Sequence, residues 1–166
     1  MVILGRRNDA TSRTSLVDMT IPSRAGMLVH GGVTSFGVML RAGLGENLRS
    51  TITDAERALE SELPDIPKRQ LVVLATGWAA SLAQEATLKC RESAAVWVEA
   101  NPSGEYRHGP IAVADEETLV WSLTPLNSRQ KDVILATGAS VEEGHLDPLA
   151  ELIKAHGDRM PAAIRR

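Results

Sequence analysis

The chain has 166 residues, enough for one domain that buries roughly 70% of the surface its unfolded form exposes. Apolar residues make up 43% of it but aromatic residues only 3%, so the core must come from Val, Ile, Leu and Ala, as in a sheet covered by helices on both faces. A net charge of −3 offers no basic field to a nucleic acid, and a lone cysteine, Cys90, excludes an internal disulfide and a cysteine zinc site.

Residues 1–32 read as a poorly defined N-terminal segment. Strand-like stretches at 2–4 and 15–21 flank a polar stretch at 6–14, and Gly5, Arg6 and Arg7 break the apolar start too soon for a signal peptide. Gly31 and Gly32 close the segment. From 33 to 63 the pattern is helical: Phe36, Met39, Leu40 and Leu44, then Leu48, Ile52, Ala55 and Leu59, recur at three- and four-residue spacings. Gly43 and Gly45 divide this stretch into two helices, and Pro64 and Pro67 end it.

The clearest strand covers 70–76, a continuous apolar run of the kind buried on both faces in the centre of a parallel sheet. Gly77 turns the chain into a helix over 79–93. A strand over 94–99, a polar loop over 101–110 and a strand over 118–123 follow. Helices are expected over 128–137 and 147–156, with a weak strand at 139–141 between them. This alternation predicts an α/β fold, a three-layer αβα sandwich with a mostly parallel, doubly wound sheet. Residues 33–157 form the expected domain and 158–166 a tail. No apolar run nears the roughly 20 residues of a membrane span, and the cytoplasm is the expected location. His30, His108, His145 and His156 show no metal-ligand spacing, and no motif calls for a cofactor.

Two segments carry chemistry. On the helix over 79–93, Glu85, Lys89 and Glu92 fall within an arc of about 60°, one polar stripe along one side. Periodicity alone makes this a solvated face with a Glu–Lys pair worth about 0.3–0.5 kcal/mol. Ala79, Ala83, Ala86 and Cys90 form a neighbouring stripe of small residues that lets the helix sit close to the sheet. The second segment is the loop over 101–110, which leaves the carboxyl end of a strand, where open α/β sheets bind their ligands. Its His108 lies between Arg107 and a Gly109-Pro110 turn, held for titration near neutrality; taken alone it is a loop histidine capping a backbone carbonyl.

The order of these motifs resembles the sugar-isomerase (SIS) family, in particular its second repeat. LATGW at 74–78 leads to a helix reading EATLKCRE at 85–92, then to a strand ending at Glu99 and to EYRHGP at 105–110. GLGENL at 43–48 and DAERAL at 54–59 are similar to the helical approach to that repeat, and DEETLV at 115–120 and HLDPLAEL at 145–152 to later segments. The family includes the isomerase half of glucosamine-fructose-6-phosphate aminotransferase and the tagatose-6-phosphate ketose/aldose isomerases. The resemblance implies a flavodoxin-like sandwich that binds a hexose phosphate or amino-sugar phosphate and moves a proton between C1 and C2. It makes Glu92 the general base, Lys89 its neighbour at the enediolate, and His108 the ring-opening group, supplied by the partner subunit in the aminotransferase. Gly77, Glu85, Glu105 and Arg107 fall at substrate-binding positions, with Glu85 also holding the helix in register. No cofactor is implied. The expected macromolecular partner is a second copy of the chain, or a complementing SIS subunit.

The resemblance also has gaps. The family's phosphate cradle is a Ser/Thr-Gly-rich turn at a helix N-terminus, and this sequence shows none. The hydroxyl cluster at 11–15 lacks glycine and reads as a solvated loop, and Gly77 alone makes no dinucleotide or P-loop motif. The chain therefore reads as a truncated member. The alternative expectation is a non-catalytic sugar-phosphate-binding module, or a remnant without the phosphate site.

Overall fold

A computed structural model of the protein describes residues 2–8, 11–17, 20–22, 28–30, 32–65, 69–94 and 96–155. Strands β1 (Val2–Asn8) and β2 (Thr11–Val17) pair antiparallel, with Val2 opposite Val17 and Asn8 opposite Thr11. A second antiparallel ribbon joins β3 (Thr20–Pro22) and β4 (Leu28–His30). Two expectations are corrected here. Residues 6–8 and 11–14 of the polar stretch belong to the strands themselves, and the hydroxyl cluster at 11–15 is strand, not loop. Backbone ladders need no apolar side chains, and β-branched Thr11 and Thr14 favour extended backbone. The tail at 158–166 lies outside the described residues.

Helices α1 (Gly32–Gly43) and α2 (Arg49–Glu60) follow, separated as expected near Gly45, whose φ of 85° is left-handed. The main body comprises β5 (Gln70–Ala75), a 3-10 turn at Gly77–Ala79, α3 (Ala80–Ala94), β6 (Trp97–Pro102), the short α4 (Ser103–Tyr106) and a second 3-10 turn at Pro110–Val113. It is completed by β7 (Thr118–Ser122), α5 (Ser128–Leu135), β8 (Ser140–Glu143) and α6 (Pro148–Lys154).

The four strands β6-β5-β7-β8 make one parallel sheet in that order. The apolar run at 70–76 is thus interior, and every residue of β5 is buried. Its alternate side chains feed two cores. Leu71, Val73 and Ala75 pack with Ala79, Leu82, Ala83, Ala86 and Cys90 of the α3 segment and with Leu149 and Leu152 of α6. Val72 and Leu74 pack on the other face with Val120, Ile134 of α5 and Tyr106 of α4. Each fully buried Leu or Val contributes about 1.5–3 kcal/mol of transfer free energy, and the predicted three layers result. Helix α1 comes close to α6 because residue 37 is glycine, where a Cβ would stand 2.8 Å from Leu149 Cδ2.

The strand expected over 94–99 begins later, at Trp97, and runs on to Pro102. Ala94 is a strong helix former and closes α3 instead, while Pro102 ends an edge strand, where a missing N–H costs little. The loop expected over 101–110 is therefore partly strand and partly helix. Among the described residues no helix is long and apolar enough to cross a membrane.

Candidate functional site

The helical period that set Glu85, Lys89 and Glu92 on one stripe also brings their charges together. Lys89 Nζ lies 3.1 Å from Glu92 Oε2 and 3.8 Å from Glu85 Oε1. The Lys89 side chain is only 12% exposed, Glu85 19% and Glu92 37%, so the cation sits below its two carboxylates with Glu92 the more open. The expected stripe of small residues lies against the sheet, with Ala79, Ala83, Ala86 and Cys90 all buried. The polar ladder thus stands beside that packed stripe, on a helix whose distance from the strands is fixed by packing.

His108 sits in the turn after α4. Tyr106, fully buried, anchors this turn in the second core. Burial, and after it the Glu99 carboxylate, push the Tyr106 phenol up to about 12. The backbone N–H of His108 donates to the Glu105 carbonyl at 2.9 Å, and Arg107 Nε donates to His108 Nε2 at 3.0 Å. The side chains of Glu105, Arg107 and His108 are all exposed. Gly77, with φ of 61°, starts the 3-10 turn that leads into α3. It lies where β5 ends, beside a hydroxyl bridge in which Thr124 Oγ1 accepts from the Thr76 N–H at 3.1 Å.

The sequence-predicted residues do not form one cluster. A crossover helix between parallel strands runs back along the sheet, so α3 starts at the carboxyl edge and ends at the amino edge. Its far end is pinned there by Arg91, whose Nε donates to the carbonyl of Val98, near the start of β6, at 3.0 Å. From Ala80 to Glu92 the helix rises about 18 Å. Lys89 and Glu92 therefore stand toward the amino edge, whereas Gly77, Glu105, Arg107 and His108 stand at the carboxyl edge. Within one chain Glu92 and His108 cannot reach the same sugar ring, since proton transfer needs contacts of about 3 Å.

A second polar assembly went unnoticed in the sequence. Asp147, the N-cap of α6, accepts two bonds from Arg41 Nη1 of α1, at 2.8 and 3.0 Å, and one from Thr51 Oγ1 of α2 at 2.9 Å. Its own N–H donates to Asp54 Oδ2 at 2.9 Å, and the Arg41 guanidinium lies over the Trp78 ring at 5.5 Å. An Asp-Pro pair opening an apolar stretch is a helix-start signal, but no local pattern ties it to Arg41. Nearby, the buried Glu151 accepts from the N–H groups of His145 and Leu146 and holds that loop in place. A shallow, open groove of about 480 Å³ at the start of α2 is lined by Asn47, Arg49, Ser50, Thr53, Asp54 and Arg57, none of them a sequence-predicted site residue. Among the described residues no three His, Cys, Asp or Glu side chains are grouped to hold a metal ion.

No protein-family model matches the chain. Among curated proteins, the isomerizing glutamine–fructose-6-phosphate aminotransferase of Caulobacter vibrioides is 35% identical over 74 residues, 44% of this chain and 12% of the relative. The enzyme of the same name from Aliivibrio fischeri is 33% identical over 89 residues, 53% of this chain and 14% of the relative. The chain thus spans a small part of the length of the curated relatives it matches. Among solved structures, glucosamine-6-phosphate deaminase of Thermotoga maritima aligns with a TM-score of 0.47 at 22% identity, over 64% of this chain and 37% of that one. The matches to the aminotransferases bear out the resemblance to the sugar-isomerase family read from the motifs.

Proposed function

We propose that the chain is a phosphosugar-binding module of the sugar-isomerase type, and that it transfers a proton between C1 and C2 of a hexose or amino-sugar phosphate once a second chain completes its site. The observation that carries this reading is the Glu85–Lys89–Glu92 ladder, with a part-buried ammonium 3.1 Å from a more open carboxylate. In this mechanism the Glu92 carboxylate removes the proton from one carbon and returns it to the next. The Lys89 ammonium offsets the charge that builds on the enediolate oxygen, where a fixed cation in a partly dry site is worth more than in water. His108 opens the sugar ring. The aminotransferases that the chain resembles are named for fructose 6-phosphate, which favours a hexose 6-phosphate as ligand.

The opposite placement of Glu92 and His108 supports a shared site, with one group from each of two copies or from a complementing SIS subunit. The outer surface of α1 suits such a contact, because Phe36, Leu40 and Leu44 recur along one side and are 58, 52 and 73% exposed. The buried thiol of Cys90 suits a reducing compartment such as the cytoplasm.

The test is proton exchange at C2 of the sugar phosphate in deuterated water, with a first SIS repeat supplied in trans. Glu92→Gln keeps the shape and removes the base, so exchange should fall by roughly 10²–10⁴ while sugar-phosphate binding stays nearly intact. If Glu92→Gln exchanges as fast as the parent, the base is elsewhere and Glu105 is the carboxylate to test next. A parent that neither binds nor exchanges refutes the isomerase reading.

A further inference from the structure

We infer that Arg107 is a positioning residue that fixes His108 as a neutral hydrogen-bond donor, with its proton on Nδ1. The tautomer follows from one contact. Arg107 Nε donates to His108 Nε2 at 3.0 Å, and a guanidinium has donors only, so Nε2 must present its lone pair. A neutral imidazole carries one N–H, which is then on Nδ1; the bond made by one ring nitrogen sets the state of the other.

The backbone prepares this contact. The N–H groups of Arg107 and His108 both donate to the carbonyl of Glu105, so the two residues are folded over the same turn. Buried Tyr106 on one side and Pro110 on the other hold the turn in place. The backbone of the turn is thus already ordered, and aligning the two exposed side chains costs their rotamer freedom alone.

The chemical consequence rests on the proposed role of His108 in ring opening, although the tautomer itself does not. With Nε2 occupied, the ring has no free lone pair and cannot act as a base toward the anomeric hydroxyl. It can donate from Nδ1 to the ring oxygen. As the bond from C1 to that oxygen breaks, the electron pair moves onto the oxygen, which takes a proton from water, while the anomeric hydroxyl releases its proton to water. His108 stabilises the developing negative charge and stays neutral throughout. Arg107 then acts on His108 and not on the sugar phosphate.

Two measurements separate this inference from the isomerase reading. Long-range proton–nitrogen correlation spectra of the full chain, with ¹⁵N-labelled histidine at alkaline pH, read the tautomer directly. His108 should be in the Nδ1–H form in the parent and in Arg107→Lys, and should move to the Nε2–H form in Arg107→Ala. An Nε2–H parent overturns the inference whatever the activity. In the complemented exchange assay, Arg107→Ala should slow a cyclic substrate about tenfold and leave an open-chain analogue within about twofold. Equal slowing of both overturns the positioning role. A parent that is Nδ1–H but exchanges nothing sinks the isomerase reading and leaves the tautomer assignment standing.

Discussion

Asp147→Ala should be among the more destabilising single substitutions in the chain, costing about 2–3 kcal/mol. Its carboxylate ties α6 to the consecutive helices α1 and α2, 106 and 96 residues away at Arg41 and Thr51, and its side chain is only 13% exposed beside an Arg41 side chain that is 20% exposed. Truncation removes the Asp147 carboxylate from the part-buried Arg41 guanidinium, which keeps Glu46 Oε2 at 2.8 Å from its Nε, so the loss stays below that of a stranded buried charge, at about 2 kcal/mol. It also strands the buried Thr51 hydroxyl, at about 1–3 kcal/mol, and removes the N-cap of α6, at about 1 kcal/mol. These losses share atoms and do not add, so the total stays near the cost of the pair. Asp147→Asn keeps a good cap and an acceptor for Thr51 and loses only the charge, so it should cost about 1–2 kcal/mol. Urea unfolding read by circular dichroism measures both variants, with m unchanged if the native surface is intact. A loss under about 1 kcal/mol for Asp147→Ala would show that water replaces the carboxylate and that the three helices are held by apolar packing alone.

The remaining two predictions concern titrating groups. Burial pushes the Cys90 thiol up to about 12, so at pH 8 the folded chain should resist a thiol reagent that labels it quickly in denaturant; fast labelling without denaturant would place Cys90 at the surface. The Lys131 ammonium, and after it the Leu126 N–H, hold Glu143 below the usual carboxylate value, so its stabilisation is complete above the unfolded value of about 4.3 and is lost as pH falls through the lower folded value. Glu143→Gln should therefore unfold at lower urea than the parent at pH 7, by about 1 kcal/mol or less, with the gap narrowing as pH falls below the unfolded value; a constant gap would assign the loss to packing.

Much of the fold was legible because its main signals are local. A five-residue apolar run, 71–75, has nowhere to go but the interior of a sheet, and β5 is there. The small residues of α3 announced the face that meets the strands, and glycines at 43 and 45 announced the break after α1. Strand ends were less legible because a ladder sets them. Gln70 pairs with Trp97 and Ala75 with Pro102, so the length of β6 is copied from β5 across the sheet, and nothing within residues 94–102 reveals it. The N-terminal ribbons failed for a related reason: Thr11, Ser12, Arg13 and Thr14 look like loop until partners at the opposite positions of β1 satisfy their backbone.

The site was legible in its spacing but not in its geometry. A period of 3.6 residues is enough to place Lys89 beside Glu92, and the structure adds only the distance. Arg41 and Asp147, 106 residues apart, share no such period, and only the packing of α1 and α2 on α6 brings them together. Nearness in sequence misleads most between Glu92 and His108. Only fifteen residues lie between them, yet these contain the whole of β6, which carries the chain from the amino edge of the sheet back to the carboxyl edge. Any βαβ unit does this, since its helix must return the chain to where the next strand can start in parallel. Two groups of which one ends the helix and the other follows the next strand are thus held apart by the length of the sheet. A ligand that touched both would have to lie between two chains, so the fold, more than the motif, decides whether one chain can bring both groups to it.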